Sequence, residues 1–304
     1  MTEPLTAFVA RELEHAVLPE IAAAAAHLAG ELGGVAVLFY GSVLRTGDLE
    51  GVLDFYVLTP RATGTPLRRL GLRWLWPDVS FHEISVGERT VRAKVATMPL
   101  DTFAHAVRGD LIDTTIWTRF VQPAALAWFA DDRSRRCVEA AVADAAVTAA
   151  RFAAVLGPAS GGPLDYWAAL FRQTYRAELR VEAPGRERAI LDVAPARYRT
   201  LLTLAWKAGG IAFESHGETV QPRVDPAERR RLVRQWRARA RAGKPLNIAR
   251  LVKAAFTFEG AARYGLWKIQ RHTGVDLPLT PFRERHPVLA APAVFWRVMR
   301  ERSR

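Results

Sequence analysis

The chain has 304 residues, half of them apolar, with nine Trp, one Cys, and 43 Lys/Arg against 31 Asp/Glu for a formal net charge of +12. That length suffices for two domains or one large one with a real core. The lone Cys137 excludes an internal disulfide framework and a multi-cysteine metal site; no apolar run reaches the roughly 18–20 residues that cross a bilayer, and MTEPLTAFVARELEH lacks the pattern of a signal peptide, so a cytoplasmic protein is expected.

Residues Pro4 to about Gly30 have helical spacing, with Phe8, Leu13, Val17, Ile21 and Leu28 available for one face, and Gly33-Gly34 ends that helix. Two strands follow, around 35–40 and 52–59, and then a Pro/Gly/Arg loop from Pro60 to Gly71. The stretch DVSFHEISVGERTVRAKVATMP reads as a hairpin turning at Gly87-Glu88. From Asp101 onward the pattern is helical, with Ala-rich helices expected over Arg133–Leu156 and Leu164–Val181, joined by GPASGGP. The first half is therefore a small mixed sheet with helices and the second half helical. Strand and helix do not alternate regularly, which argues against a Rossmann or barrel architecture. No internal repeat is present, and Gln221–Pro226 reads as a boundary.

The net charge is uneven. Residues 223–304 hold 20 Lys/Arg against 6 Asp/Glu, whereas the first 222 residues hold 23 against 25. The basic character thus belongs to the C-terminal tail and points to an anionic partner. Its segment ERRRLVRQWRARARAGKP is expected to form an arginine-rich helix that stops at Gly243 and Pro245. A second helix over Ile248–Arg271 places Leu251, Ala255, Phe258, Ala262, Leu266 and Ile269 in one stripe, with Arg250, Lys253, Lys268 and Arg271 opposite. That is the pattern of a helix lying in a membrane surface, or of one packed on its own domain. PVLAAPAVFWRVMRERSR is another candidate of this kind.

The chemistry-bearing stretch is VLFYGSVLRTGDLEGVLDFYVLT, residues 37–59. Gly41-Ser42 follows an apolar strand, eleven residues intervene, and Asp54 then sits inside a second apolar strand. A carboxylate there needs a partner, a metal ion or a functional reason, because burying an unpaired charge is costly. A Gly-Ser turn lets backbone amides and a hydroxyl approach a triphosphate, and a carboxylate on the next strand can hold magnesium against it. An ordinary hairpin with a satisfied aspartate is the plain alternative.

This spacing resembles the signature of the polymerase-beta-like nucleotidyltransferase superfamily, with Tyr56 where a second carboxylate usually stands. Within it, the chain resembles the mitochondrial-type phosphatidate cytidylyltransferases. The matching residues are Tyr40-Gly41-Ser42-Val43, Leu53-Asp54-Phe55-Tyr56-Val57, Lys94 in RAKVATM, Asp110, Arg119 and Pro123 in DLIDTTIWTRFVQP, and Tyr175, Glu178 and Arg180 in YRAELR. The family's second glycine is Val43 here, His82 stands for an asparagine, and a shorter Arg/Gly/Pro loop follows the aspartate strand.

The resemblance implies an α+β fold: a nucleotidyltransferase-like small mixed sheet with flanking helices over residues 1–130, a helical domain over 131–222, and a basic amphipathic membrane-contact tail over 223–304. It implies a peripheral membrane enzyme on the inner membrane face that makes CDP-diacylglycerol from CTP and phosphatidate with magnesium as cofactor. Asp54 would be catalytic and hold the metal, and Lys94 would be catalytic. Gly41, Ser42, Arg119, Tyr175, Glu178 and Arg180 would bind nucleotide. The expected partners are CTP, phosphatidate and an anionic membrane surface, with nucleic acid disfavoured.

The chemistry is coherent. A hydroxyl acceptor needs a carboxylate base to remove its proton. A phosphomonoester is already anionic, and cations on the third strand and nearby helices offset the charge of two polyanions. The alternatives stay open at this point: a solvated strand residue for Lys94, helix ion pairs for Arg119 and Arg180, a core role for Tyr175 and an exposed helix position for Glu178. Other functions consistent with the residues are a nucleotidyltransferase acting on a small molecule or protein, and an inactive relative binding nucleic acid through its arginines.

Overall fold

The computed structural model describes residues 3–41, 43–44, 51–61, 75–178, 186–258, 260–273 and 277–285, with the single positions 290, 293 and 296. Ser42, Arg180, nearly all of the loop after Pro60 and nearly all of PVLAAPAVFWRVMRERSR lie outside the described residues.

Five strands, Ala36–Tyr40 (β1), Val52–Thr59 (β2), Asp78–Val86 (β3), Arg89–Pro99 (β4) and Ala124–Phe129 (β5), form one mixed sheet in the order β3-β4-β2-β1-β5. Only β2 and β4 run parallel to each other. The hairpin between β3 and β4 turns at Gly87-Glu88 as expected. With helices on both faces, the architecture is α+β.

The N-terminal segment departs from the expectation of one helix. It forms two, Leu5–Leu13 (α1) and Pro19–Leu32 (α2). Pro19 has no amide to donate and disfavours the α conformation at the residue before it, so Leu18 is extended (ψ 147°). The break sends the expected single face two ways. Phe8 and Leu13 join the core on one side of the sheet, while Ile21 and Leu28 cover the other side, against Val37, Phe39, Phe55 and Val95.

The helical second half also needs correction, because it contains strands. Residues 124–129 become edge strand β5 by pairing with β1, and Ala212–His216 (β6) pairs with Thr219–Arg223 (β7). Tertiary pairing outweighs the modest helical preference of AALAWF. The helices of this half are Leu100–Val107 (α3), Thr115–Phe120 (α4), Asp132–Leu156 (α5), Pro163–Ala177 (α6), Arg186–Asp192 (α7) and Pro195–Ala208 (α8). α5 runs through the middle, with Ala145, Ala149 and Ala153 fully buried, small enough for neighbouring helices to approach closely.

The tail differs most from expectation. Its first helix does not stop at Gly243 and Pro245; it runs from Pro226 to Thr257 (α9), capped by Asp225. Gly243 is there because α9 crosses the end of α6, where a Cβ would run into the Ala177 carbonyl. Pro245 removes one helical hydrogen bond, but inward anchors lie on both sides of it. Leu232, Trp236 and Arg239 are buried before it, and Arg250 and Lys253 are held after it. The expected helix over Ile248–Arg271 is in fact two pieces. α9 ends at Thr257, and Ala261–Thr273 (α10) begins after a turn at Gly260 that lies against the Phe81 carbonyl of β3. A short helix, Pro281–Arg285 (α11), follows.

Over residues 248–253 the predicted wheel is also inverted, whereas in α10 Leu266 and Ile269 pack against Leu277 as expected. Arg250 and Lys253 face inward, whereas Ile248, Leu251 and Val252 are 51%, 60% and 55% exposed. The cause is acidic residues buried elsewhere. Asp113 and Asp78 are buried and pair with Arg250 and Lys253, and an unpaired buried carboxylate would be far costlier than an exposed leucine. Among the described residues no helix is long and apolar enough to cross a membrane.

Candidate functional site

Strand register builds the centre of the site. Tyr40 on β1, Asp54 on β2, Lys94 on β4 and Phe81 on β3 are successive partners across the sheet and share one face. Each stands where strand alternation turns it away from α2. The chain then leaves β1 through Gly41, whose φ of +100° an L side chain rarely adopts. A Cβ on Gly41 would lie 2.7 Å from Asp54 Oδ2. The turn therefore brings bare backbone against the carboxylate, an approach that any side chain would block.

α4 supplies the cation beneath this row. Arg119 donates from Nη1 to the Tyr40 hydroxyl at 2.7 Å, and its guanidinium lies 4.9 Å from the Tyr40 ring and 5.9 Å from the Tyr56 ring. Burial pushes the Asp54 carboxyl above the usual aspartate range; Lys94 and then Arg119 pull it part of the way back. Burial likewise pushes the Tyr40 phenol up, so it stays neutral at physiological pH, and Arg119 stays charged.

That balance has a signed consequence. Replacing Lys94 with Gln removes the larger of the two charges that hold Asp54 down, so the carboxyl should titrate at a still higher pH. Carboxyl NMR titration of the two proteins without ligand reads this directly. An unchanged Asp54 midpoint would mean that Lys94 does not act on it.

The remaining expected residues are placed less centrally. Tyr175 is half-buried on α6 and packs against the core. Glu178, at the end of α6, is buried and accepts from the Thr114 hydroxyl at 2.9 Å, which draws it to the start of α4 and not to an exposed helix face. Asp110 is exposed in the loop before α4, 3.0 Å from His105 and 3.3 Å from Arg108. His82 lies 3.4 Å from Glu31 and 2.8 Å from Ser80, while Glu83 pairs with Arg92 at 3.5 Å, so the two share no ion site.

Sequence reasoning missed the contribution of the tail. Lys253 pairs with Asp78 and donates to the Leu75 carbonyl at 2.7 Å. Arg250 pairs with Asp113 at 2.7 Å and lies 4.5 Å from the Trp76 ring. From α10, the Tyr264 ring lies tilted by 46° with its centroid 5.3 Å from that of Phe81, at the end of the Asp54–Lys94 row, and Asp54 acts on its phenol electrostatically. The tail thus roofs the same face of the sheet. One signal was legible: DTT at 113–115 is an N-cap pattern, and Asp113 does accept from the Thr115 and Ile116 amides. Nothing local, however, marks Asp113 as the partner of a residue 137 positions away.

Magnesium is typically bound by one or two carboxylates with substrate phosphates and water completing its shell. Asp54 beside the bare turn fits as such a protein ligand. Among the described residues no group of three His, Cys, Asp or Glu could form an all-protein cage. No family model matches the chain, and no curated protein matches it.

Proposed function

We propose that this protein is a nucleotidyltransferase that transfers CMP from CTP to phosphatidate, as its resemblance to the mitochondrial-type phosphatidate cytidylyltransferases implies. The observation that carries the reading is the close approach of Gly41 to Asp54, with Lys94 in register beside it and Arg119 beneath. In this reading a phosphatidate oxygen attacks the α-phosphorus of CTP, the bond from that phosphorus to the β-phosphate oxygen breaks, and pyrophosphate leaves. The bare backbone at Gly41 lets the turn close on Asp54, the carboxylate that would face the triphosphate. Lys94 and Arg119 offset the charge of the two anions and of the departing pyrophosphate. No base is needed, because the acceptor oxygen is already anionic. Magnesium, when bound at Asp54, neutralises part of the triphosphate charge. Incubating the protein with CTP, magnesium and phosphatidate should yield a CDP-lipid and pyrophosphate; folded protein that makes neither sinks the assignment.

The outward face of α9 supports a peripheral position on anionic membrane. Arg230, Arg234, Arg237, Arg241 and Lys244 are exposed at helical spacing, and the same stripe continues into Ile248, Leu251 and Val252. Each basic residue near anionic lipid contributes about 1 kcal/mol, and the apolar end can insert. A stripe that turns apolar suits lipid better than a nucleic-acid backbone. Serine at 248, 251 and 252 together should weaken binding to anionic liposomes by about 100-fold, at roughly 1 kcal/mol per side chain, and leave the melting temperature unchanged. Equal liposome binding by wild type and the triple variant would remove α9 from the membrane contact.

A further inference from the structure

The inward half of α9 presents a guanidinium that its ion pair only partly uses. Arg250 Nη1 donates to Asp113 at 2.7 Å and lies 3.4 Å from the Thr115 hydroxyl. Its Nε and Nη2 are buried and meet no hydrogen-bond partner among the described residues. These two nitrogens form the parallel donor edge of the guanidinium, the one that matches two oxygens of a single phosphate or carboxylate. Two buried charged donors without acceptors are costly, so such an edge in a folded protein calls for an explanation.

The surroundings hold that edge in place. Asp113 is fixed by the Thr115 and Ile116 amides, and Trp76 lies under the guanidinium. Lys253, one turn on, is committed to Asp78 and the Leu75 carbonyl, so the two inward cations of this stretch have different tasks. The position is next to the candidate site. Arg250 holds Asp113 and Thr115 at the start of α4, the helix that carries Arg119, and Arg119 lies 5.9 Å from the Tyr56 ring.

We propose that Arg250 is a phosphate-recognising residue beside the candidate site, its Nε–H and Nη2–H donating to two oxygens of one phosphate group of a ligand bound over the sheet face. The inference rests on the proposed function only for what carries that phosphate, the nucleotide or the acceptor. Asp113 and Trp76 then act as positioning residues that orient the fork before the ligand arrives.

The test uses the full chain and two variants. Arg250→Lys keeps a cation for Asp113 but loses the fork, and Arg250→Gln removes the charge. Calorimetric binding is measured for CTP, for dihexanoyl phosphatidate, for inorganic phosphate and for neutral dihexanoylglycerol, with circular dichroism on each protein. The expected result is at least a 10-fold loss of affinity for one phosphate ligand in folded Arg250→Lys, with the neutral lipid unaffected. The ligand that suffers identifies the carrier. If Arg250→Gln does not fold, Arg250→Lys alone decides. Wild-type affinity of Arg250→Lys for every phosphate ligand would reduce Arg250 to a structural ion-pair partner, and a wild type that binds none of them would overturn the inference outright. If wild type binds inorganic phosphate but neither CTP nor phosphatidate, and Arg250→Lys loses that binding, the fork stands and the proposed reaction falls.

Discussion

Asp54→Asn is expected to cut magnesium-dependent nucleotide turnover by at least about 1000-fold, about 4 kcal/mol of transition-state stabilisation, while leaving the protein folded. The amide has nearly the shape of the carboxylate, so the contact with Gly41 survives and only the charge is lost. The stability sign separates this from a structural aspartate. Burial raises the Asp54 carboxyl above its ordinary value despite Lys94 and Arg119. A carboxyl raised on folding contributes stability below its unfolded pKa and loses it as pH rises through the folded one. Above that folded pKa the ionised carboxylate is therefore a burden on the fold, and Asp54→Asn should melt no lower than wild type. Steady-state turnover and thermal melts at pH 7 check both halves. A variant that keeps most of its activity, or that melts well below wild type, would make Asp54 a structural residue and move the site elsewhere.

Removing Pro226–Arg304 is expected to destroy cooperative folding. A detachable membrane tail could be deleted cleanly, but here Leu232 and Trp236 belong to the main core, and fully burying each is worth about 1.5–3 kcal/mol. Arg151 donates to Glu228 at 2.6 Å, Arg239 reaches the Gly109 and Leu111 carbonyls, and Arg250 and Lys253 satisfy Asp113 and Asp78. Water reaching the uncovered carboxylates would return part of the ion-pair loss. The apolar loss remains, and it is large against a total stability of about 5–15 kcal/mol. A chain ending at Asp225 should thus show no sharp melt, or one at least about 10 °C lower. A truncated protein that melts cooperatively at the wild-type temperature would show that the tail is dispensable to the core. For the same reason, membrane contact is better tested by the serine substitutions on the outer face of α9 than by truncation.

The sequence by itself determined the strands β1 to β4, the β3–β4 turn, the two long Ala-rich helices and the pairing of a Gly turn with Asp54. Those features rest on local signals: alternation, glycine position and spacing over a dozen residues. Tertiary structure decided the rest. AALAWF became a strand because β1 offered it an edge, and the first helix split because Pro19 excludes the α conformation at Leu18. Arg250 and Lys253 turned inward because Asp113 and Asp78 are buried across from them. A helical wheel ranks residues by polarity against water and therefore put those cations outside. It holds no record of carboxylates more than a hundred residues away, and once these are buried, pairing them outweighs exposing Ile248, Leu251 and Val252. The same long-range pairing brought Tyr264 and Arg250 over the Asp54 face, so the floor of the candidate site was legible in the sequence and its roof was not.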